Sequence, residues 1–133
     1  FTTEEIFTLI NKNEKSIHLE KFIKFPQSFE NIKLNEKWIE LKKIRDICNI
    51  SIEEKRFKKE IGSSLEAYLT INLNKKLFKI SDNIDFSELC ITSGAIVEQS
   101  DINDVNVQTK KAEGNKCPVC WKINKTDCER HPV

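Results

Sequence analysis

The first half of the chain carries apolar residues with the period of an α-helix. From about residue 35, apolar positions recur at steps of three and four, while charged residues occupy much of the other side: Trp38, Leu41, Ile44, Ile47 and Cys48. This spacing predicts an amphipathic helix. The stretch SIEEKRFKKEIG extends the helical pattern to Gly62, where we expect the helix to end. Ser51 and Glu54 also form a capping box, so the pattern allows either one long helix or two.

A shorter helix is predicted at the start of the chain. Thr2 and Glu5 form a capping box there. Three apolar residues follow at helical spacing: Ile6, Leu9 and Ile10. Residues 11–33 are rich in Asn, Lys and Ser and hold no sustained period, so we expect a loop that connects the two helical regions.

Beyond Gly62 the hydrophobic period changes to two. In AYLTINL, residues 67–73, apolar and polar side chains alternate as a strand with one buried face requires. VNVQT, residues 105–109, repeats this alternation, and ITSGAIVEQ, residues 91–99, is a third candidate strand. Between the first candidate strand and residues 91–99, the stretch DFSELC, residues 85–90, has apolar residues at helix spacing behind an aspartate. The sequence therefore predicts an α+β fold with three parts: residues 1–62, 63–109 and 110–133.

Composition indicates a reducing, aqueous compartment. Of the 133 residues 32% are charged, and no apolar run approaches the roughly 20 residues of a membrane-spanning helix. The first residues lack the basic and apolar regions of a secretory signal. Five cysteines, an odd number, argue against a secreted disulfide framework. We therefore expect a soluble cytoplasmic protein. Because the sequence contains no methionine, we also expect it to be a piece of a longer polypeptide.

Charge is distributed unevenly along the chain. Residues 80–109 contain six acidic residues and no Lys or Arg, whereas residues 110–133 contain six basic residues and three acidic ones. A uniform nucleic-acid binder would be basic throughout. RNA could meet only local basic surfaces here, namely the C-terminal segment and the main helix, where Arg45 and Arg56 are the candidate contacts. The alternative is that the basic residues of the helix only solvate its surface.

The stretch CPVCWKINKTDCERH, residues 117–131, has the spacing of a metal site. A tight C-x2-C turn points two sulfurs at one tetrahedral ion, and a C-x2-H pair can supply the other two ligands. The candidate ligands are Cys117, Cys120, Cys128 and His131, a set that would fill all four positions of a structural zinc. The alternatives are a fourth ligand other than His131, or free thiols in a disordered tail. Cys48 and Cys90 lie on apolar helix faces, where we expect small core residues.

The segment after residue 109 has few apolar side chains, so metal binding would have to supply its folding energy. Trp121 follows the second thiolate directly, with Lys116, Lys122 and Arg130 nearby. A ring held on a basic knuckle could stack on an unpaired RNA base. The other interpretation, which the sequence leaves open, is that Trp121 packs back on the predicted strands.

Four stretches carry a resemblance in the same order along the chain. GNKCPVCW resembles the C-terminal zinc motif of bacterial isoleucyl-tRNA synthetases. FTTEEIF resembles the helix start that follows the Pro-Phe of the anticodon-binding domain in class I synthetases for branched aliphatic amino acids. SIHL followed by FP resembles their His-Leu-x-x-Trp-Pro segment. WIELKKIRDICN with EEKRFKKEIGSSLEA resembles their Trp-x-x-Leu-x-x-x-Arg helix and the motif that follows it.

The resemblance implies the end of a helical anticodon-binding domain, then a small mixed strand and helix unit and a C-terminal zinc knuckle. It implies an enzyme that activates isoleucine with ATP and esterifies it to tRNA(Ile). The nucleotide-binding signatures of class I are absent here, so ATP would bind outside this segment and no catalytic residue is expected. Cys117, Cys120 and Cys128 inherit a role as ligands of a structural Zn²⁺. Trp121 inherits a contact with the anticodon loop. We also expect the protein to be a monomer that binds neither DNA nor a membrane.

Three other interpretations come from different classes of protein. A free-standing zinc module that binds RNA or protein would explain the cysteines and the charge, but not the motifs upstream. A DNA repair glycosylase has a similar terminal zinc finger, yet this chain does not show the reactive N-terminal residue and carboxylate that such enzymes need. The matching region of a valyl or leucyl synthetase would keep the helix motifs and typically lack the terminal C-x2-C-W.

Overall fold

The computed structural model describes residues 2–11 and 16–131, which divide into two units, residues 1–31 and 32–133. In the first unit, helix α1 spans Thr2–Ile10, which confirms the predicted first helix. Two single turns of 3-10 helix follow at Ile17–Leu19 and Gln27–Phe29, within the predicted loop. Residues 12–15 of that loop lie outside the described residues.

The first unit has no core of its own among its described residues. Residues 2–11 and 16–31 contain no buried side chain. The large apolar side chains there are exposed: Ile6, Leu9, Ile10, Leu19, Phe22, Ile23, Phe25 and Phe29. Phe22 is 101% exposed. So much exposed apolar surface is typical of a face that another protein surface covers.

The second unit begins with one long helix, α2, at Ile32–Phe57. The helix is continuous through Ser51, which does not cap a second helix, because its hydroxyl bonds the Thr109 hydroxyl at 2.7 Å. The buried positions follow the predicted helical spacing: Leu41, Ile44, Cys48 and Ile52. Trp38 was expected on the same face but is 37% exposed. The first buried residue on that face of α2 is Leu41.

Helix α2 ends earlier than the sequence predicts. Lys59, rather than Gly62, takes the left-handed conformation, with φ of 57°. Its N–H donates to the Arg56 carbonyl at 2.9 Å, and the Glu60 N–H donates to the Lys55 carbonyl at 3.0 Å. These two bonds make a Schellman motif, which satisfies carbonyls that the last turn would leave unpaired.

A three-stranded sheet forms the rest of the second unit's frame. Strand β1 is Ala67–Leu73, as predicted, and lies between β2, Gly94–Gln99, and β3, Asn106–Lys111. Strand β2 pairs with β1 in parallel and β3 pairs with it antiparallel. The chain crosses from β1 to β2 through two short helices, α3 at Lys75–Ile80 and α4 at Phe86–Leu89. This mixed sheet with helices confirms the predicted α+β class.

The core lies between helix α2 and one face of this sheet. Alternate residues of β1 are fully buried: Ala67, Leu69, Ile71 and Leu73. They join the buried face of α2 in one cluster, together with Phe86 of α4. Cys48 and Cys90 are members of the cluster, which confirms them as core residues. Within residues 2–11 and 16–131, no helix combines the length and apolar character that crossing a membrane requires.

Candidate metal centre and nucleic-acid interface

The end of the chain, residues 115–131, is hereafter called the tip. Two short strands, β4 at Asn115–Lys116 and β5 at Ile123–Asn124, pair antiparallel and hold its first loop. Within that loop the Cys117 N–H donates to the Lys122 carbonyl at 2.9 Å, and the Trp121 N–H donates to the Cys117 carbonyl at 3.0 Å. The C-x2-C turn is therefore closed by backbone bonds that bring its two thiols together.

Gly114 fixes where this hairpin starts. Its φ is 127°, a conformation that L side chains rarely adopt. A Cβ at this position would lie 2.1 Å from the carbonyl oxygen of Asn124. The hairpin can close this tightly only because residue 114 has no side chain.

The four predicted ligands converge on one point. Cys117, Cys120, Cys128 and His131 each offer one ligand atom, and these atoms lie within 4.8 Å of one another. The Sγ atoms of Cys120 and Cys128 are 3.7 Å apart. The Nδ1 atom of His131 lies 3.7 Å from the Cys117 Sγ and 3.5 Å from the Cys128 Sγ. The group could therefore hold a metal ion, with His131 as the candidate fourth ligand.

These distances can be compared with those around zinc. With Zn–S near 2.3 Å and Zn–N near 2.0 Å, tetrahedral geometry places two sulfurs about 3.8 Å apart and a sulfur and a nitrogen about 3.5 Å apart. The separations of 3.7 Å between Cys120 and Cys128 and 3.5 Å between Cys128 and His131 agree with these values. The residues thus fit a tetrahedral ion of this size.

The backbone of the loop also prepares one thiol for metal binding. The N–H groups of Cys120 and Val119 donate toward Cys117 and lower the pKa of its thiol to about 6. The thiolate is the form that binds metal. The lowered pKa favours the thiolate of Cys117, so binding an ion there requires less proton release than at an ordinary thiol.

Trp121 projects from the loop that carries these ligands. Its φ is 65°, the left-handed region, and the residue is 59% exposed. The ammonium of Lys116 lies 5.7 Å from the centre of its ring, within the range of a cation–π contact. The sequence left open whether Trp121 is exposed or packs on the strands. In the structure its ring is exposed.

Two residues that the sequence did not single out attach the tip to the sheet unit. Glu88 of α4 pairs with Lys122 and, at 2.9 Å, with Arg130. The Lys122 ammonium, followed by the Arg130 guanidinium, holds the pKa of the Glu88 carboxyl below its usual range. The Ser93 hydroxyl donates to the Leu65 carbonyl and accepts from the Ile123 N–H at 2.6 Å. The tip is thus bonded to helix α4 through Glu88 and, through Ser93, to the residue just before β2.

Comparison with known proteins identifies the relatives of this chain. No family model matches it. It is 72% identical over 131 residues, 98% of its length, to the isoleucine–tRNA ligase of Pelagibacter ubique. It is 34% identical over 133 residues, 92% of its length, to that of Bartonella henselae, and 34% over 143 residues, 99% of its length, to that of Agrobacterium fabrum. The chain is homologous to isoleucine–tRNA ligases. It spans only 14% to 15% of the length of these relatives.

The homology confirms the resemblance inferred from the four motifs.

Two other basic residues that were expected to contact RNA lie on α2, away from the tip in sequence. Arg45 donates from Nε to the Leu89 carbonyl at 2.9 Å, and Arg56 pairs with Glu53 at 2.7 Å. Both therefore have partners within the protein, and their contact with RNA stays a prediction.

The attachment of the tip can be tested by the double variant Glu88→Gln with Ser93→Ala. We expect the tip to keep its capacity to bind metal and to lose its fixed orientation, because all four candidate ligands lie within the tip and neither replaced residue does. Backbone NMR relaxation should show increased motion in residues 115–131 but not in β1. Glu98→Gln is the control, since Glu98 is an exposed acid on β2 whose side chain has no hydrogen bond or ion pair among the described residues. Unchanged order in the double variant would show that other contacts hold the tip.

Proposed function

We propose that this chain is the C-terminal part of an isoleucine–tRNA ligase and that its tip binds the anticodon arm of tRNA(Ile). The full enzyme would activate isoleucine with ATP and esterify it to the tRNA in the cytoplasm, with ATP bound outside these residues. The observation that carries the proposal is the exposed Trp121 ring on the loop of a complete metal-ligand set. The relatives named above are isoleucine–tRNA ligases, which agrees with tRNA as the partner.

The proposed metal is a structural zinc. Three thiolates and one imidazole are soft and intermediate donors that suit zinc, and four protein ligands complete its tetrahedral shell. Such a shell keeps no position for a reacting water, so the ion would fold the tip rather than perform chemistry. This role agrees with the small number of apolar side chains in the tip, where Val119 is 65% exposed.

Trp121 is the proposed contact with an unpaired base. Stacking of a base on an aromatic ring is worth roughly 1–3 kcal/mol, and it needs a ring that is exposed and held in place. The left-handed turn and the metal ligands on either side hold Trp121 in that way. Lys116, which sits over the ring, adds a positive charge for the adjacent phosphate.

The other basic residues of the tip would act mainly through charge. Lys122 and Arg130 share one carboxylate, that of Glu88, so the three groups together keep one positive charge. The Arg130 side chain is 59% exposed, whereas that of Lys122 is 16% exposed. We propose that Arg130 reaches a phosphate and that Lys122 positions the loop.

The first unit supports the idea of a larger protein. Its apolar side chains are exposed within the described residues, and a monomer of this length rarely leaves so many uncovered. The remaining mass of a ligase would cover them, since the relatives are about seven times longer than the matched region.

The variant Trp121→Ala tests the proposed function. We expect affinity for transcribed tRNA(Ile) to fall about 5- to 150-fold, the equivalent of losing one stacked base. The titration should use the native polypeptide, meaning the one that carries these 133 residues in the cell. Trp121→Phe is the matched control and should retain most of the affinity, because it keeps an aromatic face. Unchanged affinity in Trp121→Ala, with the metal still bound, would remove the stacking role.

A further inference from the structure

A cleft of about 540 Å³ opens between the sheet and the tip. Its walls come from β1, from the end of β3 and from strand β5, and include Tyr68, Ser93, Lys110, Lys111, Ile123 and Lys125. We call it the Tyr68 cleft. Its volume falls within the range of about 300–1,000 Å³ that small-ligand sites occupy. Neither the motifs nor the metal centre gives this cleft a role.

Tyr68 presents an aromatic ring to the cleft. It lies on the sheet face opposite the core, and its neighbours across the strands are Gly94 and Lys110. A Cβ at Gly94 would lie 2.5 Å from the Tyr68 Cε2 atom, so the ring rests against bare backbone there. Tyr68 is still 42% exposed. The ring is therefore supported on one side and accessible on the other, which is what base stacking requires.

The charge of the cleft is positive. Three lysines line it, Lys110, Lys111 and Lys125, against one acid, Glu113. Glu113 already pairs with Lys125 at 3.4 Å. Lys110 and Lys111 are exposed and have no ion pair among the described residues. Lys110 is paired with Tyr68 and shares its face of the sheet, whereas Lys111 is paired with Ala67 and reaches the cleft only at its edge. An accessible ring with one free lysine beside it and another at the edge favours a ligand that combines a planar base with phosphates.

We propose that the Tyr68 cleft receives an unpaired nucleotide of the bound tRNA, with its base on Tyr68 and its flanking phosphates at Lys110 and Lys111. The inference rests on the proposed function and adds a second RNA contact on the sheet, apart from Trp121. Stacking tolerates any base, so the cleft would hold the strand without reading its sequence.

The test uses the native polypeptide and transcribed tRNA(Ile), titrated over a range of salt concentrations. In Lys110→Gln with Lys111→Gln, the slope of log affinity against log salt should become shallower by about 1.4–1.8, which is 0.7–0.9 for each of two phosphates. Tyr68→Leu should weaken binding about 5- to 150-fold, whereas Tyr68→Phe should not, because stacking does not need the hydroxyl. Lys75→Gln with Lys76→Gln, an equal loss of exposed charge on α3, is the control and should leave the slope unchanged.

The outcomes separate this proposal from the one it rests on. If the Lys110 and Lys111 variant matches its control and Tyr68→Leu binds like Tyr68→Phe, while Trp121→Ala weakens binding, the cleft proposal is wrong and the proposed function stands. If the unaltered polypeptide does not bind tRNA(Ile), both proposals fail. The cleft proposal is supported if the Lys110 and Lys111 variant gives a shallower salt slope and if Tyr68→Leu, but not Tyr68→Phe, weakens binding.

Discussion

Replacing Cys117 with serine is expected to abolish tight metal binding and to unfold the tip, while the three-stranded sheet persists. Cys117 is the most buried of the four candidate ligands, at 5% exposure, and its lowered pKa favours the thiolate form. A serine hydroxyl remains protonated at neutral pH and is a poor zinc ligand. Losing an outer-shell partner already costs about 10–100-fold in metal affinity, so losing a first ligand should cost more than about 100-fold.

The tip should unfold because little else holds it together. Structural zinc in small finger peptides contributes about 10–16 kcal/mol to folding, and the tip has no cluster of buried apolar side chains to replace that energy. The sheet should persist because its core contains Leu69, Ile71 and Phe86 but no residue of the tip. The two parts therefore have separate sources of stability.

The measurements are the zinc content after dialysis and an amide NMR spectrum of the 133-residue chain. Cys117→Ser should contain little zinc, and residues 115–131 should move to random-coil positions while β1 to β3 keep theirs. Cys90→Ser is the matched control, since Cys90 is equally buried, at 4% exposure, but lies outside the ligand set. Full zinc content in Cys117→Ser, or loss of the β1 signals, would contradict the expectation.

Short-range patterns predicted much of this molecule. The alternation in residues 67–73 marks a strand because one face of the sheet is buried and the other is open. The C-x2-C and C-x2-H spacings predicted that the four candidate ligands would lie together, because a closed turn places its side chains within a few ångströms. Both are local rules, in which near neighbours in sequence determine the outcome.

The sequence failed to predict features that depend on tertiary contacts or on the backbone conformation of a single residue. Glycine is the usual residue at a helix C-terminus, yet the left-handed position fell on Lys59, three residues before Gly62. Helix α3, whose start is capped by the Asn74 side chain bonding the Leu77 N–H at 3.0 Å, was too short to show a period. The excess of acidic residues over 80–109 could have suggested a partner for the basic tip, but not that Glu88 is that partner.

Truncating Leu69 to alanine is expected to cause a large loss of stability. Leu69 is 0% exposed in the central strand β1 and belongs to the core cluster that also contains the buried residues of α2. A Leu→Ala change at a site of this kind costs about 2–5 kcal/mol, the sum of lost burial and the cavity that remains. Domains are stable by only about 5–15 kcal/mol, so the variant should unfold at clearly lower urea concentration.

Thr70→Ala is the control on the same strand. Thr70 points to the opposite face and is only partly buried, so its loss should cost less than about 1 kcal/mol. Zinc content in native buffer should be unchanged in both variants, because all four ligands lie after residue 116. Leu69→Ala would then weaken the sheet and spare the metal site, the converse of Cys117→Ser. Equal urea midpoints for the two strand variants would mean that the core does not depend on β1 as the structure indicates.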